Sequence, residues 1–290
     1  MSLFFCRRWP VVLGCALLLG CTTGPGLEKE EQEFQTLFDK GKAYLERGNP
    51  QMALPALQQA NRLQPGNVAL LARLGLAYDQ VGRPLQALES LEEAHRLRPD
   101  DSGLNNNLGV ARLRVYTLSC AETPESSGCP ALLEQAERAL QAALQGATQG
   151  GRQEEGVADI WFNLALLYKQ RGQEPPMVTA LEKALEINGH HLPARLELAE
   201  HHHGKRHFDL EKQQLRHALA AHPDQVAVME RLADALFALR PGAAADPATS
   251  LTPGELTELR TLLSRIVTLA AGTEASQRAS QRILLLDKRR

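Results

Sequence analysis

Apolar positions along this chain fall at helical spacing and recur with a long period. Gly41, Gly75 and Gly109 stand 34 residues apart. The same interval separates Tyr44 from Tyr78, Ala53 from Ala87, Leu57 from Leu91, Ala60 from Ala94 and Pro65 from Pro99. Ala165, Ala199 and Ala233 carry the glycine register onward at that interval. The pattern predicts pairs of antiparallel helices. Small residues let the two helices approach, Leu fills the gap between them, and Pro, which lacks an N–H, stops the second helix. One such hairpin cannot bury its own apolar face, so neighbours have to stack. A coiled coil is excluded, because Gly and Pro recur where heptads need continuity.

The register sets the expected organisation. Repeats fall at 34–67, 68–101, 102–157, 158–191 and 192–225, and a sixth supplies only its first helix over 226–240. From Gly109 to Ala165 is 56 positions instead of 34, so the third repeat carries 22 extra residues. Most of them are expected in a loop near 119–130, and the rest in the Gly- and Gln-rich segment Gly146 to Gly156. A linker is expected over 241–252, following Arg240-Pro241-Gly242. Thr252, Pro253 and Glu255 then read as a capping box, with Leu251 and Leu256 as its hydrophobic staple. Helices over 253–290 are expected to replace the missing second helix and to cap the open end, the last of them near 274–287.

These residues resemble the tetratricopeptide repeat, with its small residue at repeat position 8, aromatic at 11, Ala at 20 and 27, and Pro at 32. The fourth repeat departs with Met177 and Gly189 at positions 20 and 32, and the fifth has His202 in place of the aromatic. The resemblance implies an all-α solenoid of about six helical hairpins with a C-terminal capping helix, whose first helices line a protein-binding groove. Projected into that groove are Phe38 and Lys42, then Ala72, Arg73 and Leu76, then Asn106, Asn107 and Val110. Phe162, Asn163, Leu166 and Lys169 come next, and Leu196, Glu200 and His203 close the series. Positions 5 and 9 are mostly apolar, which suits a partner helix or an extended peptide. Asn107 and Asn163 both fall at position 6 and resemble the asparagine ladder of peptide-binding relatives. The alternative is that both satisfy neighbouring backbone. The basic clamp of chaperone-binding relatives is not reproduced, since Phe38 stands where one of its Lys is expected.

The first residues change the setting. Arg7 and Arg8 precede an apolar run from Val11 to Leu19, far too short to span a bilayer. It ends in Leu18-Leu19-Gly20-Cys21, which resembles the lipobox of bacterial lipoproteins. That resemblance implies a signal peptide over 1–20, cleavage before Cys21, and thioether diacylation and N-acylation by palmitate-type chains. Residues 21–33 then form an acidic tether. Thr22 stands where an inner-membrane retention signal would have Asp, which implies the periplasmic face of the outer membrane. The rival reading of Cys21 is a buried core cysteine.

Cysteine usage fits export. Of five Cys, Cys6 and Cys15 leave with the signal and Cys21 carries lipid. The remaining pair, Cys120 and Cys129, is expected to close a disulfide. A redox or metal site would need tighter spacing or more ligands.

Composition narrows the function classes. Hydrophobic residues make up 43% of 290, enough for a sizeable core, and the 4% of aromatics suits packing by Ala and Leu. A net charge of -2 provides no field to draw nucleic acid. Eight of the nine His lie between 190 and 222. His203 and His207 could share a metal if one helix ran through both, but the register puts a turn at Gly204-Lys205-Arg206. Metal binding or pH sensing by this segment stays open as an alternative. No phosphate loop, H-E-x-x-H or G-x-S-x-G motif is present, so neither an enzyme nor a cofactor is expected.

Lipobox followed by about six such hairpins resembles the pilotin lipoproteins of type IV pili. That implies a protein client, the outer-membrane secretin subunit, and a part in its localisation and assembly. The alternatives are an adaptor for peptidoglycan synthases or hydrolases or for a periplasmic protease, and a His-rich metal-binding protein.

Overall fold

First-turn N–H groups of a helix have no partner within it, and this chain meets them with side chains placed just upstream. Asn49 accepts from the Met52 N–H, Asn67 from Leu70, and Asp101 from Gly103 and Leu104. Pro occupies a first-turn position in several of the helices that follow, where its fixed φ is already helical. The computed structural model describes residues 25–120, 122–124, 126, 128–149, 154–237 and 251–287, and these hold thirteen α-helices and no strand. The chain divides into two compact units, Met1–Pro65 and Gly66–Arg290.

The first unit contains α1 (Pro25–Glu46) and α2 (Pro50–Leu63), packed as a hairpin. Gly41 lets the helices meet: a Cβ there would lie 2.5 Å from Leu57 Cγ. Residues 25–33, expected as tether, belong instead to α1. The sequence pattern does not announce them, because residues 28–33 are all exposed and carry no apolar stripe, whereas Phe34 is the first buried residue. Their helix is supported by Glu28 near the positive end of the helix dipole and by a hydrogen bond from Gln64 to Glu31.

The second unit runs α3 (Val68–Gln80), α4 (Pro84–Leu97), α5 (Ser102–Ser119), α6 (Cys129–Gln149), α7 (Glu154–Gln170) and α8 (Glu174–Ile187). It continues with α9 (Leu192–Gly204), α10 (Phe208–Ala221), α11 (Val226–Phe237), α12 (Pro253–Leu269) and α13 (Glu274–Asp287). Consecutive helices pack on each other throughout, and first helices also touch first helices, α3 with α5 and α5 with α7. α12 packs on α11 as a second helix would, and α13 packs on α12. The Thr252–Glu255 capping box is formed, and Leu251 and Leu256 both pack onto the terminal core around Leu259, Leu263 and Ile266.

Each short hairpin turn needs one residue in the left-handed region. Gly48, Gly82 and Gly172 supply it with φ of 68°, 75° and 66°. In the α9–α10 turn the same repeat position is Arg206, at φ 58°.

The third hairpin departs from expectation. Its helices are 18 and 21 residues long, against 13 and 14 in α3 and α4. The extra length is therefore carried mainly by longer helices and only partly by the Cys120–Gly128 connection. Gly146, expected in the inserted Gly- and Gln-rich segment, lies inside α6. The extended helix ends still pack: Leu113, Tyr116, Cys120, Cys129 and Leu133 are all buried in one cluster. Cys120 and Cys129 are bonded, with Cα atoms 5.7 Å apart, and join the end of α5 to the start of α6. Replacing both by Ser should cost about 2–3 kcal/mol by freeing the unfolded chain. Urea unfolding reads this directly, and an unchanged midpoint would mean that the packed helix ends alone hold the turn.

Several sequence expectations fall outside the described residues. These are the signal peptide over 1–20, the lipid site Cys21, the end of the sixth repeat's first helix at 238–240, and the linker up to residue 250.

Candidate protein-binding surface

In the first unit, Phe38 and Lys42 lie on α1. Phe38 is half-buried and its ring stacks on Phe34, with centroids 5.8 Å apart. Lys42 is paired with Glu46 at 3.8 Å, a solvent-screened contact of about 0.5 kcal/mol.

In the second unit the projected residues sit on the first helices α3, α5, α7 and α9. Contacts between these helices already use several of them. Arg114 on α5 grips Asp79 on α3 with two bonds, of 3.0 and 3.2 Å. Asn163 on α7 donates to Asn106 Oδ1 on α5 at 2.9 Å. Lys169 on α7 pairs with Glu197 on α9, and Glu200 on α9 pairs with Arg231 on α11 at 2.8 Å. A polar link thus joins each first helix to the next. Asn163 therefore bonds to a side chain, that of Asn106, and not to neighbouring backbone, and Asn107 stays exposed beside it.

Phe162 has a structural share as well. Its half-buried ring lies against the His191 ring, with centroids 5.4 Å apart. His191 is buried and caps α9: its Nδ1 accepts the Ala194 N–H at 3.1 Å. The proton therefore sits on Nε2, which donates to Asp159 at 3.0 Å. Next to it Trp161 takes the Lys183 ammonium over its ring at 4.2 Å.

Leu76 and Asn107 are thus exposed, Lys169 and Glu200 are exposed but paired, and Arg73, Val110 and Leu166 are half-buried. Apolar patches alternate with amide and paired charge along successive helices. Such a face can take the apolar side of a partner and still hydrogen-bond its backbone. Lys169 and Glu200 also line a cleft of 470 Å³ with Glu174, Met177, His201 and Lys205. Lys205 lies 2.6 Å from Glu174 and, with His201 behind it, holds that carboxyl below its usual range.

The histidines divide into two groups, as the turn between α9 and α10 requires. His201, His202 and His207 cluster at that turn, with ring centroids 5.5 and 6.3 Å apart. Burial first, then the neighbouring His201 and His207, lower the pKa of His202. His203 instead meets Glu211 at 3.0 Å. At the far ends of the helices His222 meets the His190 carbonyl. Among the described residues no group of three metal-ligating side chains converges. Among them too, no helix is long and apolar enough to cross a membrane.

Stacked helix pairs with a small residue at every close crossing define a tetratricopeptide-repeat fold, an architecture that mediates contacts between proteins. The family model for the tetratricopeptide repeat matches residues 34–67, 68–101 and 158–191. A thermophilic tetratricopeptide-repeat protein of Thermus thermophilus is similar in structure. Its TM-score is 0.60 at 21% identity, over 71% of this chain and 100% of that one. PilF of Pseudomonas aeruginosa aligns over 88% of this chain and 99% of its own, at 16% identity and a TM-score of 0.57. PilW, described as a widely conserved type IV pilus biogenesis factor, aligns over 85% of this chain and 97% of its own, with the same identity and score. No curated protein sequence matches the chain.

Proposed function

We propose that this protein is a non-catalytic scaffold, held by lipid on Cys21 at the periplasmic face of the outer membrane, that helps a type IV pilus secretin to reach the membrane and assemble. What supports the reading is joint: Leu18–Cys21 resembles a lipobox, ahead of a fold similar to PilF and PilW along nearly their whole lengths. The lipid supplies the address, since each buried CH₂ adds about 0.8 kcal/mol and more than one chain makes the anchor stable. The client meets the first-helix face, where Leu76, Val110 and Leu166 offer apolar contact and Asn107 offers both a donor and an acceptor.

Photo-crosslinking in cells tests this, from a probe at Asn107, which is exposed and has no packing duty. A multimeric outer-membrane channel subunit should be captured, and Cys21→Ser should release the protein from the membrane fraction. Capture of a peptidoglycan synthase, a hydrolase or a protease would replace this reading with the adaptor one. Phe162 is the poorer probe site, because its ring supports His191.

A further inference from the structure

Two polar residues stand in the third repeat where its neighbours are apolar or aromatic. At repeat position 4 the second and fourth repeats carry Leu71 and Trp161, and at position 11 they carry Tyr78 and Tyr168. The third carries Asn105 and Arg112. Beside them, between α4, α5 and α6, lies a cavity of 470 Å³. Three of the residues that line it hold side-chain atoms, closed to solvent, that have no partner in the chain. Asn105 is 2% exposed, and while its Nδ2 donates to the Pro99 carbonyl at 2.9 Å, its Oδ1 has no hydrogen-bond partner in the chain. Arg112 gives one Nη to the Gln135 carbonyl and the other to Glu92, both at 3.2 Å, which leaves Nε–H unpaired. Nδ1 of His95 is also without a partner. Leaving such groups buried and unmet is costly, so a ligand that reaches them by moving their cover gains what the chain leaves unmade.

The donor set defines what fits. Glu92 already neutralises Arg112. Arg138, at the exposed mouth on α6, has no acidic partner among the described residues, so the cavity carries one uncompensated positive charge. A ligand with a single negative charge matches it, whereas a metal cation is repelled by two guanidinium groups. The buried Asn105 Oδ1 asks for an N–H or O–H, and Leu108, Ala139 and Ala142 offer contact for a short aliphatic part.

We propose that this cavity binds a carboxylate with a hydrogen-bond donor close by, an amino- or hydroxy-acid unit that is either free or the carboxyl end of a peptide. Arg138 and the Arg112 Nε–H take the carboxylate, and Asn105 Oδ1 takes the donor. Residues 105, 108 and 112 form one stripe of α5, and 106, 107 and 110 lie on the opposite side, since each residue turns the helix by about 100°. The site is therefore separate from the first-helix face, and its failure would leave the scaffold reading standing.

Titration calorimetry on the full chain in a non-ionic detergent tests it with three probes: N-acetyl-alanyl-alanine, its C-terminal amide, and lactate. The acid should bind and the amide should not. Lactate binding as well as the peptide acid would identify a free small acid, and binding of the peptide acid alone would identify a peptide end. Arg138→Gln, at an exposed position, should weaken binding about tenfold. Asn105→Leu, which installs the residue found at this position in the second repeat, should abolish binding while the thermal midpoint holds or rises. Equal affinity for acid and amide, no binding of any probe, or wild-type affinity in both variants would overturn the proposal and leave these atoms simply hydrated.

Discussion

Gly75→Val should destabilise the α3–α4 hairpin by about 3 kcal/mol, among the largest effects open to a single substitution in this chain. A Cβ at Gly75 would sit 2.6 Å from Leu91 Cγ and 3.0 and 3.1 Å from its two methyl carbons. The atom met first is the branch point of a side chain only 4% exposed, so the clash cannot be relieved by swinging a free end aside. The helices must part or Leu91 must leave its rotamer, and either opens space in a close-packed core. Gly75→Ala should cost less, because Ala in a helix recovers about 1 kcal/mol relative to Gly. The fourth, fifth and sixth repeats carry Ala165, Ala199 and Ala233 at this position, all fully buried, so those crossings already allow a Cβ. Urea midpoints for the two variants would show the ordering. A Val variant as stable as the parent would mean that Leu91 has a second position available.

Glu255→Ala should loosen the C-terminal end by a similar amount, about 3 kcal/mol, since it strips a buried cation of its partner. Lys212 on α10 is 5% exposed and reaches Glu255 on α12 at 2.8 Å; its other carboxylate, Asp209 at 3.0 Å, is exposed. Glu255 also closes the capping box with Thr252, so one side chain both starts α12 and ties it to α10. The hydrogen bond from Lys212, then that from the Thr252 N–H, lower the Glu255 carboxyl from 4.5 to about 2. A carboxyl depressed on folding adds stability above its unfolded pKa and loses it as pH falls through the folded value. Here the loss runs from about pH 4.5 down to about pH 2 and amounts to about 2 kcal/mol once solvent screening is allowed for. Glu255→Gln keeps the cap acceptor and loses the charge, so its stability should fall less steeply than the parent's across that window. An acid profile identical to the parent's would show that other carboxylates govern it.

The 34-residue spacing made most of the fold legible, because each repeated residue has one mechanical duty. Gly75 and Gly109 mark close crossings, Leu91 and Leu140 fill them, and Asn67 and Asp101 cap the helices that follow. The terminal helix could be read for the same reason, Thr252 and Glu255 being a local signal. What was not legible depends on partners far along the chain or on residues with no duty to repeat. Residues 28–33 of α1 are all exposed, so no stripe announced them. A register shift counts inserted residues but cannot say whether they lengthen a helix or a loop, and in the third hairpin they mostly lengthen helices. Within the candidate face, the projection placed Lys169, Glu200 and Asn163 on the right helices. It could not tell that Glu197, Arg231 and Asn106 engage them. Asn105 and Arg112 did carry a signal, the loss of an aromatic at position 11 and of an apolar residue at position 4. Its meaning depends on the cavity that those losses leave.

Arg206 has a consequence for how the array comes apart. In a repeat protein each hairpin is held by itself and its neighbours, so opening begins where one unit is weakest. A left-handed backbone costs a residue with a Cβ about 1 kcal/mol that Gly does not bear. Gly48, Gly82 and Gly172 leave their turns unstrained, whereas the α9–α10 turn is strained in the folded state. Next to it, half-buried His202 has Nδ1 unpaired. The α9–α10 hairpin is accordingly where the second unit is expected to open first, and faster amide exchange there than in the α3–α4 hairpin would show it.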